Sequence, residues 1–377
     1  MAVYAHINTV PNGSTGGIMM KEHHELLARG EDSYVFWGRG REAQNDHEMK
    51  FCTDLEVKID ALQVRLDGRA GFHSNKATRR LLSRLDEIKP DIVHLHNLHG
   101  YYINVEMLFN WLAAQDCRVE WTLHDCWAFT GHCAHFTYVK CAQWKTHCAY
   151  SKPCPQLGTY PKTVCRSSCA RNFEAKRRLF TIVPPERMTF ISPSYWLSDF
   201  VKESFFGDYP IKVCHNTVDS SVFRPTPSDF RGRHGIGDKF MVLGVASPWT
   251  ERKGLSDFVR LAGELDSKRY AIVLVGLSSE QVKILPKSVV GLSRTDSVQE
   301  LAAIYSAADI FFNPTLEDNF PTVNLEAEAC GTPVLTYDTG GCRETVELAN
   351  SLVVDGFDMA LSAIKCRAAG EELITYV

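Results

Sequence analysis

The sequence predicts an α/β protein of two doubly wound halves, each on a parallel sheet, facing across a cleft. Three observations predict it. At 377 residues the chain is about twice the usual single-domain length. Short apolar runs alternate with helical patterns, as stacked β-α units do. The alternation then restarts, which divides the chain into residues 1–212 and 213–377.

In the first half, residues 3–7 read as a strand and the glycine-rich residues 11–17 as the loop after it. Residues 19–29 carry a helical pattern and 33–37 a second strand. Residues 79–88 form an amphipathic helix that Pro90 stops, and residues 91–95 a strand. Residues 119–123 are another, ending in His124-Asp125. Near-continuous apolar strands with polar residues at their carboxyl ends suit a sheet buried on both faces. Residues 126–169 break the pattern with a Cys-, His- and Trp-rich insert. After it come a strand at 189–191, a helix from about Ser194 and a short strand at 213–216. The second half gives strands at 241–245, 270–275, 310–313 and 333–337. Helices at 254–265, 297–307 and 323–329 separate them, and a helical stretch at 359–369 follows.

Composition narrows the function. A formal charge of −4 excludes global basicity as an argument for nucleic acid. The longest apolar stretches are strand-sized, far short of the ~20 residues of a spanning helix. His6, Asn8 and Pro11 interrupt the apolar start, so it does not read as a signal peptide. The expectation is a cytoplasmic protein with its thirteen cysteines reduced.

The most informative stretch runs from Pro314 through Asp318, Asn319, Phe320 and Pro321 to Glu326, and on to Gly340-Gly341. Its loop leads into a helix whose first N–H groups form an anion site. Glu326 lies near the start of that helix, and a carboxylate there accepts hydrogen bonds from a ribose diol. A solvated acidic loop with a capping Glu would give the same spacing. Arg252-Lys253, at a strand-to-helix turn, are two adjacent cations able to neutralise a leaving diphosphate. The Asn12 to Ile18 loop, with Gly16 and Gly17, lets backbone approach a ligand closely. His124, oriented by Asp125, can donate to a sugar hydroxyl, although a buried structural His fits as well. His94, His96 and His99 alternate at another strand end and line either a metal or, better, an acceptor.

These residues together resemble the retaining "group 1" glycosyltransferases of the GT-B fold, over nearly the whole chain. Asp318 and Glu326 match the family's two acids eight positions apart, with Asp in place of Glu and Asn319-Phe320-Pro321 in place of Gly-Phe-Gly. Pro321 brings no N–H. The resemblance implies that Asp318, Asn319 and Phe320 hold the donor sugar and diphosphate, and that Glu326 holds the nucleotide ribose. It places Lys253 and Arg252 on the diphosphate, Gly16-Gly17 opposite it, and His124 on the donor sugar. The family's Arg five residues before the Lys is Pro248 here. Relatives also continue past the counterpart of Val377 into helices that cross back to the first domain.

The resemblance implies transfer of a sugar from a nucleoside diphosphate, with retention, to a saccharide or lipid-linked acceptor in surface polysaccharide synthesis. A non-catalytic sugar-binding scaffold and a GT-B epimerase or phosphorylase are the rivals. The chain contains no Asp-x-Asp pair, so no catalytic divalent ion is expected. Cys133, Cys141, Cys148 and Cys154, in an insert like that of a colanic-acid-type subgroup, offer four thiolates for a structural zinc. The alternative is reduced cysteines packed among tryptophans. Lys162, Arg166, Arg171, Lys176, Arg177, Arg178 and Arg187 form a solvated face, or one resting peripherally on anionic membrane.

Overall fold

The computed structural model describes residues 1–371, so the chain end at Val377 lies outside the described residues. The chain divides into two compact units, Met1–His215 and Asn216–Val377.

The first unit holds strands β1 (Val3–Asn8), β2 (Asp32–Trp37), β3 (Glu48–Lys50), β4 (Ile92–Leu95), β5 (Arg118–Thr122), β6 (Met188–Ser192) and β7 (Ile211–Val213). All pair in parallel, in the order β3-β2-β1-β4-β5-β6-β7. Helices α1 (Gly13–Ala28), α2 (Asp54–Asp67), α3 (Asn75–Ile88), α4 (Val105–Ala114), α5 (Ser168–Phe180) and α6 (Tyr195–Glu203) connect them. Local chemistry sets their ends. Thr53 and Glu56 form a capping box at the start of α2, and Gly68 ends it in the left-handed conformation. Asn104 and Ser194 cap α4 and α6 through their side chains.

The second unit repeats the plan. Its strands are β8 (Phe240–Val245), β9 (Tyr270–Val275), β10 (Val289–Leu292), β11 (Ile310–Asn313), β12 (Val334–Tyr337) and β13 (Leu352–Val354), ordered β10-β9-β8-β11-β12-β13. Its helices are α7 (Phe230–Arg233), α8 (Leu255–Glu264), α9 (Ser279–Ile284), α10 (Val298–Ala307), α11 (Thr322–Ala329) and α12 (Phe357–Ala368). Every residue of β9 is buried. Ile272 and Leu274 join the apolar cluster on one face, and Ala271, Val273 and Val275 the cluster on the other. That is the period of two expected of a strand covered on both sides.

Three expectations change. Residues 13–17 are not a loop but the first turn of α1. The short strand is Ile211–Val213, earlier than residues 213–216, because it pairs with β6 through Phe190 and Ser192. The insert is irregular yet packed: Trp127, Phe129, Phe136 and Trp144 are all buried in the core of the first unit.

The basic stretch is not one face either. Lys176 is buried, donates to the carbonyls of Trp127 at 2.7 Å and Thr130 at 3.1 Å, and sits 3.3 Å from the centre of the Trp127 ring. Burial pushes its ammonium well below the usual lysine range. Arg187 reaches the carbonyls of Leu112 and Cys117 around the end of α4. Lys162, Arg166, Arg171, Arg177 and Arg178 are the exposed members. Replacing Lys176 by Met is expected to destabilise the chain by about 1–3 kcal/mol, the scale for orphaned buried acceptors. Unchanged denaturant midpoints would contradict this.

Candidate active site

In the second unit the strand order reverses between β8 and β11, the position where doubly wound sheets bind ligands at their carboxyl ends. The loops leaving those two strands carry the expected residues. After β8, a 3-10 turn spans Glu251–Lys253. After β11, residues 314–321 run to the start of α11. Backbone joins the loops: the Leu316 N–H donates to the Arg252 carbonyl at 2.7 Å, and the Arg252 guanidinium donates to the Glu317 carbonyl.

Lys253 forms an ion pair with Asp318, both side chains about one-fifth exposed. The sequence reading gave each a separate role toward the donor. In the structure they compensate one another as an ion pair. Arg252 braces the loop. The other Asp318 oxygen accepts the Asn319 N–H at 2.9 Å, and the Asp318 carbonyl accepts that of Gly341 at 3.0 Å. Gly340 makes this approach possible. It has φ +60°, and a Cβ there would lie 1.9 Å from the Asp318 carbonyl oxygen.

Asn319 and Phe320 are buried, and Pro321 precedes the first turn of α11. The opening N–H groups of a helix lack intrahelical partners and favour anions. One turn further, half-buried Glu326 accepts a hydrogen bond from the Tyr305 hydroxyl at 3.0 Å. Burial pushes the Glu326 carboxyl above its ordinary value, against the pull of that bond. Sequence reasoning missed Tyr305, which lies on α10 at no motif spacing. It also missed Asn324, whose buried amide accepts from Asn313 and donates to Thr345, both at 2.8 Å, fixing α11 to β11.

In the first unit, His124 follows β5, with Nε2 3.2 Å from Nδ1 of His96. Burial lowers its pKa to about 4, against the raising influence of Asp125 and Glu22, so the imidazole is neutral. Asp125 does not orient it as expected. Asp125 meets His99 Nε2 at 2.8 Å and accepts the Trp127 N–H at 2.8 Å. Burial alone would raise the Asp125 carboxyl, but His99 holds it below the usual range. The three alternating histidines separate too: His94 and His96 are buried, while His99 stands apart between Asp125 and Tyr160.

Gly16 and Gly17 differ. A Cβ on Gly16 would lie 2.6 Å from the Pro11 carbonyl carbon, so helix packing alone demands glycine there. A Cβ on exposed Gly17 would meet nothing within 4 Å. Gly17→Ala is therefore expected to keep the fold and gain up to about 1 kcal/mol from helix propensity, while lowering donor turnover. Unchanged turnover would leave Gly17 an ordinary helix residue.

Cys133, Cys141, Cys148 and Cys154 line one small cavity together with Cys169. Hydrogen bonds from Cys133 and Cys169 lower the Cys154 thiol to about 3, and raise the thiols of those two donors. The Gly131 N–H donates to the Cys148 sulfur at 3.2 Å, and Gln143 donates to that of Cys141 at 3.8 Å. Cys169 was visible in the sequence but not paired with the others, because α5 brings it in.

Comparison with known proteins matches the residues around these loops to a family. Residues 239–368, which hold both loops and α11, match the family described as glycosyl transferases group 1. The chain is 23% identical over 362 residues to the "Putative colanic acid biosynthesis glycosyl transferase WcaC" of Escherichia coli (strain K12), covering 91% of this chain and 84% of that one. Among solved structures, sucrose-phosphate synthase from Thermosynechococcus elongatus superposes with a TM-score of 0.72 at 16% identity, over 98% of this chain and 90% of that one. Anabaena Alr3699/HepE in complex with UDP-glucose gives 0.61 at 15% identity, over 98% and 91%. Residues 239–368 thus match a group 1 glycosyltransferase domain, and the chain has two doubly wound halves like those of the GT-B fold.

Proposed function

We propose that this glycosyltransferase moves a hexose or deoxyhexose from a nucleoside-diphosphate donor to a saccharide acceptor carried on lipid, with retention, in surface polysaccharide synthesis. One observation carries the reading: Lys253 and Asp318 pair in the loops at the reversal point of the second sheet, and the Asp318 loop leads into α11, which carries Glu326. Lys253 and the α11 N–H groups meet the diphosphate, fixed charges that need no reorganisation as the leaving group departs. Glu326, steadied by Tyr305, accepts from the ribose. Asp318, Asn319 and Phe320 shape the sugar end, and in the first unit neutral His124 is the proposed hydrogen-bond donor toward a sugar. The likeness to a protein holding UDP-glucose supports a nucleotide-sugar donor, and the likeness to WcaC supports polysaccharide synthesis.

No helix among the described residues is long and apolar enough to cross a membrane. The reading places the enzyme in the cytoplasm, with the exposed basic residues on and before α5 resting on anionic lipid. Incubation with a panel of nucleotide sugars and lipid-linked saccharides tests it. A glycoside that keeps the donor's anomeric configuration is expected. Nucleotide sugars bound without any acceptor-dependent product would favour a non-catalytic role.

The charges around the proposed diphosphate position come from the chain itself, so transfer should persist in EDTA over short assays. Prompt loss restored by magnesium or manganese would contradict this arrangement. The insert thiols of Cys133, Cys141, Cys148 and Cys154, which line one cavity, are the candidate ligands of a structural zinc ion. Cys154→Ser and Cys141→Ser are each expected to lower zinc content and thermal stability together. Metal-free protein of normal stability would leave these cysteines as packed thiols.

A further inference from the structure

A second group of side chains lies in the first unit, at the corresponding reversal between β1 and β4. His6 on β1 stands in register with His94 on β4, and His96 follows two residues later on the same side. Glu22 reaches them from α1. Its Oε2 lies 3.8 Å from His6 Nδ1, 3.1 Å from His94 Nδ1 and 3.8 Å from His96 Nε2. One ligand atom from each of the four residues lies within 4.8 Å of every other.

The atoms facing inward are unsatisfied. Both nitrogens of His6, Nε2 of His96 and Oε2 of Glu22 are buried without a hydrogen-bond partner. All three imidazoles are at most 4% exposed. A histidine placed only for packing finds partners when buried, and here four atoms do not. For two of the three histidines the outward nitrogen is taken up: His94 Nε2 lies 2.8 Å from Thr122 Oγ1, and His96 Nδ1 3.2 Å from His124 Nε2. Metal-bound histidines show this division, one nitrogen on the ion and the other N–H donated to a neighbour.

We propose that His6, His94, His96 and Glu22 bind a divalent transition-metal ion of the zinc class. Three imidazoles and one carboxylate suit zinc and its neighbours rather than magnesium or calcium, which take oxygen ligands. Bonds of about 2.0–2.1 Å in a tetrahedron set ligand atoms roughly 3.4 Å apart, close to the Glu22 distances. With its Nε2 on the ion, His96 donates from Nδ1 to His124 Nε2. That leaves His124 its Nδ1–H as donor. This last consequence rests on the role given to His124 above; the metal site does not.

The test is cobalt titration of the full chain after chelator dialysis. Tetrahedral cobalt bound by nitrogen and oxygen gives a visible ligand-field band without the near-ultraviolet charge-transfer band of thiolates. About one such ion per chain is expected, bound at least about tenfold more weakly in Glu22→Gln and His94→Gln. Circular dichroism checks the fold of each variant. Should His94→Gln fail to fold, half-buried Glu22→Gln decides alone. Absence of the band, or affinity unchanged in Glu22→Gln, would overturn the site. So would cobalt accompanied only by thiolate bands, which places the ion on the insert cysteines. Binding is read without any transfer assay, so failure of the proposed function would leave this result intact.

Discussion

Replacing Lys253 with alanine is expected to cost donor turnover about 2–4 kcal/mol, or roughly 30- to 1000-fold in kcat/KM. Two effects add. The diphosphate loses its cation, and Asp318 loses the ammonium that compensates it in the free enzyme. A bare carboxylate near the phosphates then repels the donor. Asp318→Asn in the Lys253→Ala background should therefore recover part of the donor affinity. The side chains are partly exposed in a surface loop, so the fold should survive both changes. Near-wild-type kinetics in Lys253→Ala, at matched circular dichroism, would contradict the role.

Glu326→Ala is expected to cost a similar 2–4 kcal/mol, on the scale of losing a charge-assisted hydrogen bond in a desolvated site. Its effect should appear with nucleotides that keep the ribose diol and shrink with a 2′-deoxyribose donor. An equal loss with both donors would move Glu326 off the ribose. The raised carboxyl also predicts a stability signature. A carboxyl raised in the fold keeps its stability contribution below its ordinary value and loses it as pH rises through the folded value. Glu326→Gln should therefore stabilise the nucleotide-free chain at neutral pH, with the gain disappearing in acid. Thermal unfolding of the two proteins across pH reads this, and destabilisation at neutral pH would contradict it.

The strands of both sheets were legible because buried parallel strands are near-continuous apolar runs, as in Ala271 to Val275. Short edge strands such as Glu48–Lys50 were not, since three residues of mixed character carry no period. Residues 13–17 read as a loop because glycine disfavours helix. The close approach of Pro11 to Gly16 overrides that preference. In the second unit Lys253, Asp318 and Glu326 could be named from motif spacing. Their pairing could not, because Lys253 and Asp318 meet only when β8 and β11 lie side by side. Lys176 shows the same limit: helical periodicity puts it on a face, and only packing says which face Trp127 covers. The histidine group was half visible. His94 and His96 alternate on one strand, whereas His6 and Glu22 join from β1 and α1 through strand order.

Calorimetric titration of UDP and GDP into the full chain, and into Lys253→Ala and Glu326→Ala, tests most directly whether the second unit holds a nucleotide-sugar donor. At least one nucleoside diphosphate should bind the wild type at a single site without added divalent metal. Each substitution should weaken it by about 30-fold or more, at circular dichroism matched to the wild type. Tight binding that both variants retain, or no binding of any nucleoside diphosphate by folded wild-type protein, would contradict the assignment of the loops after β8 and β11 as the donor site.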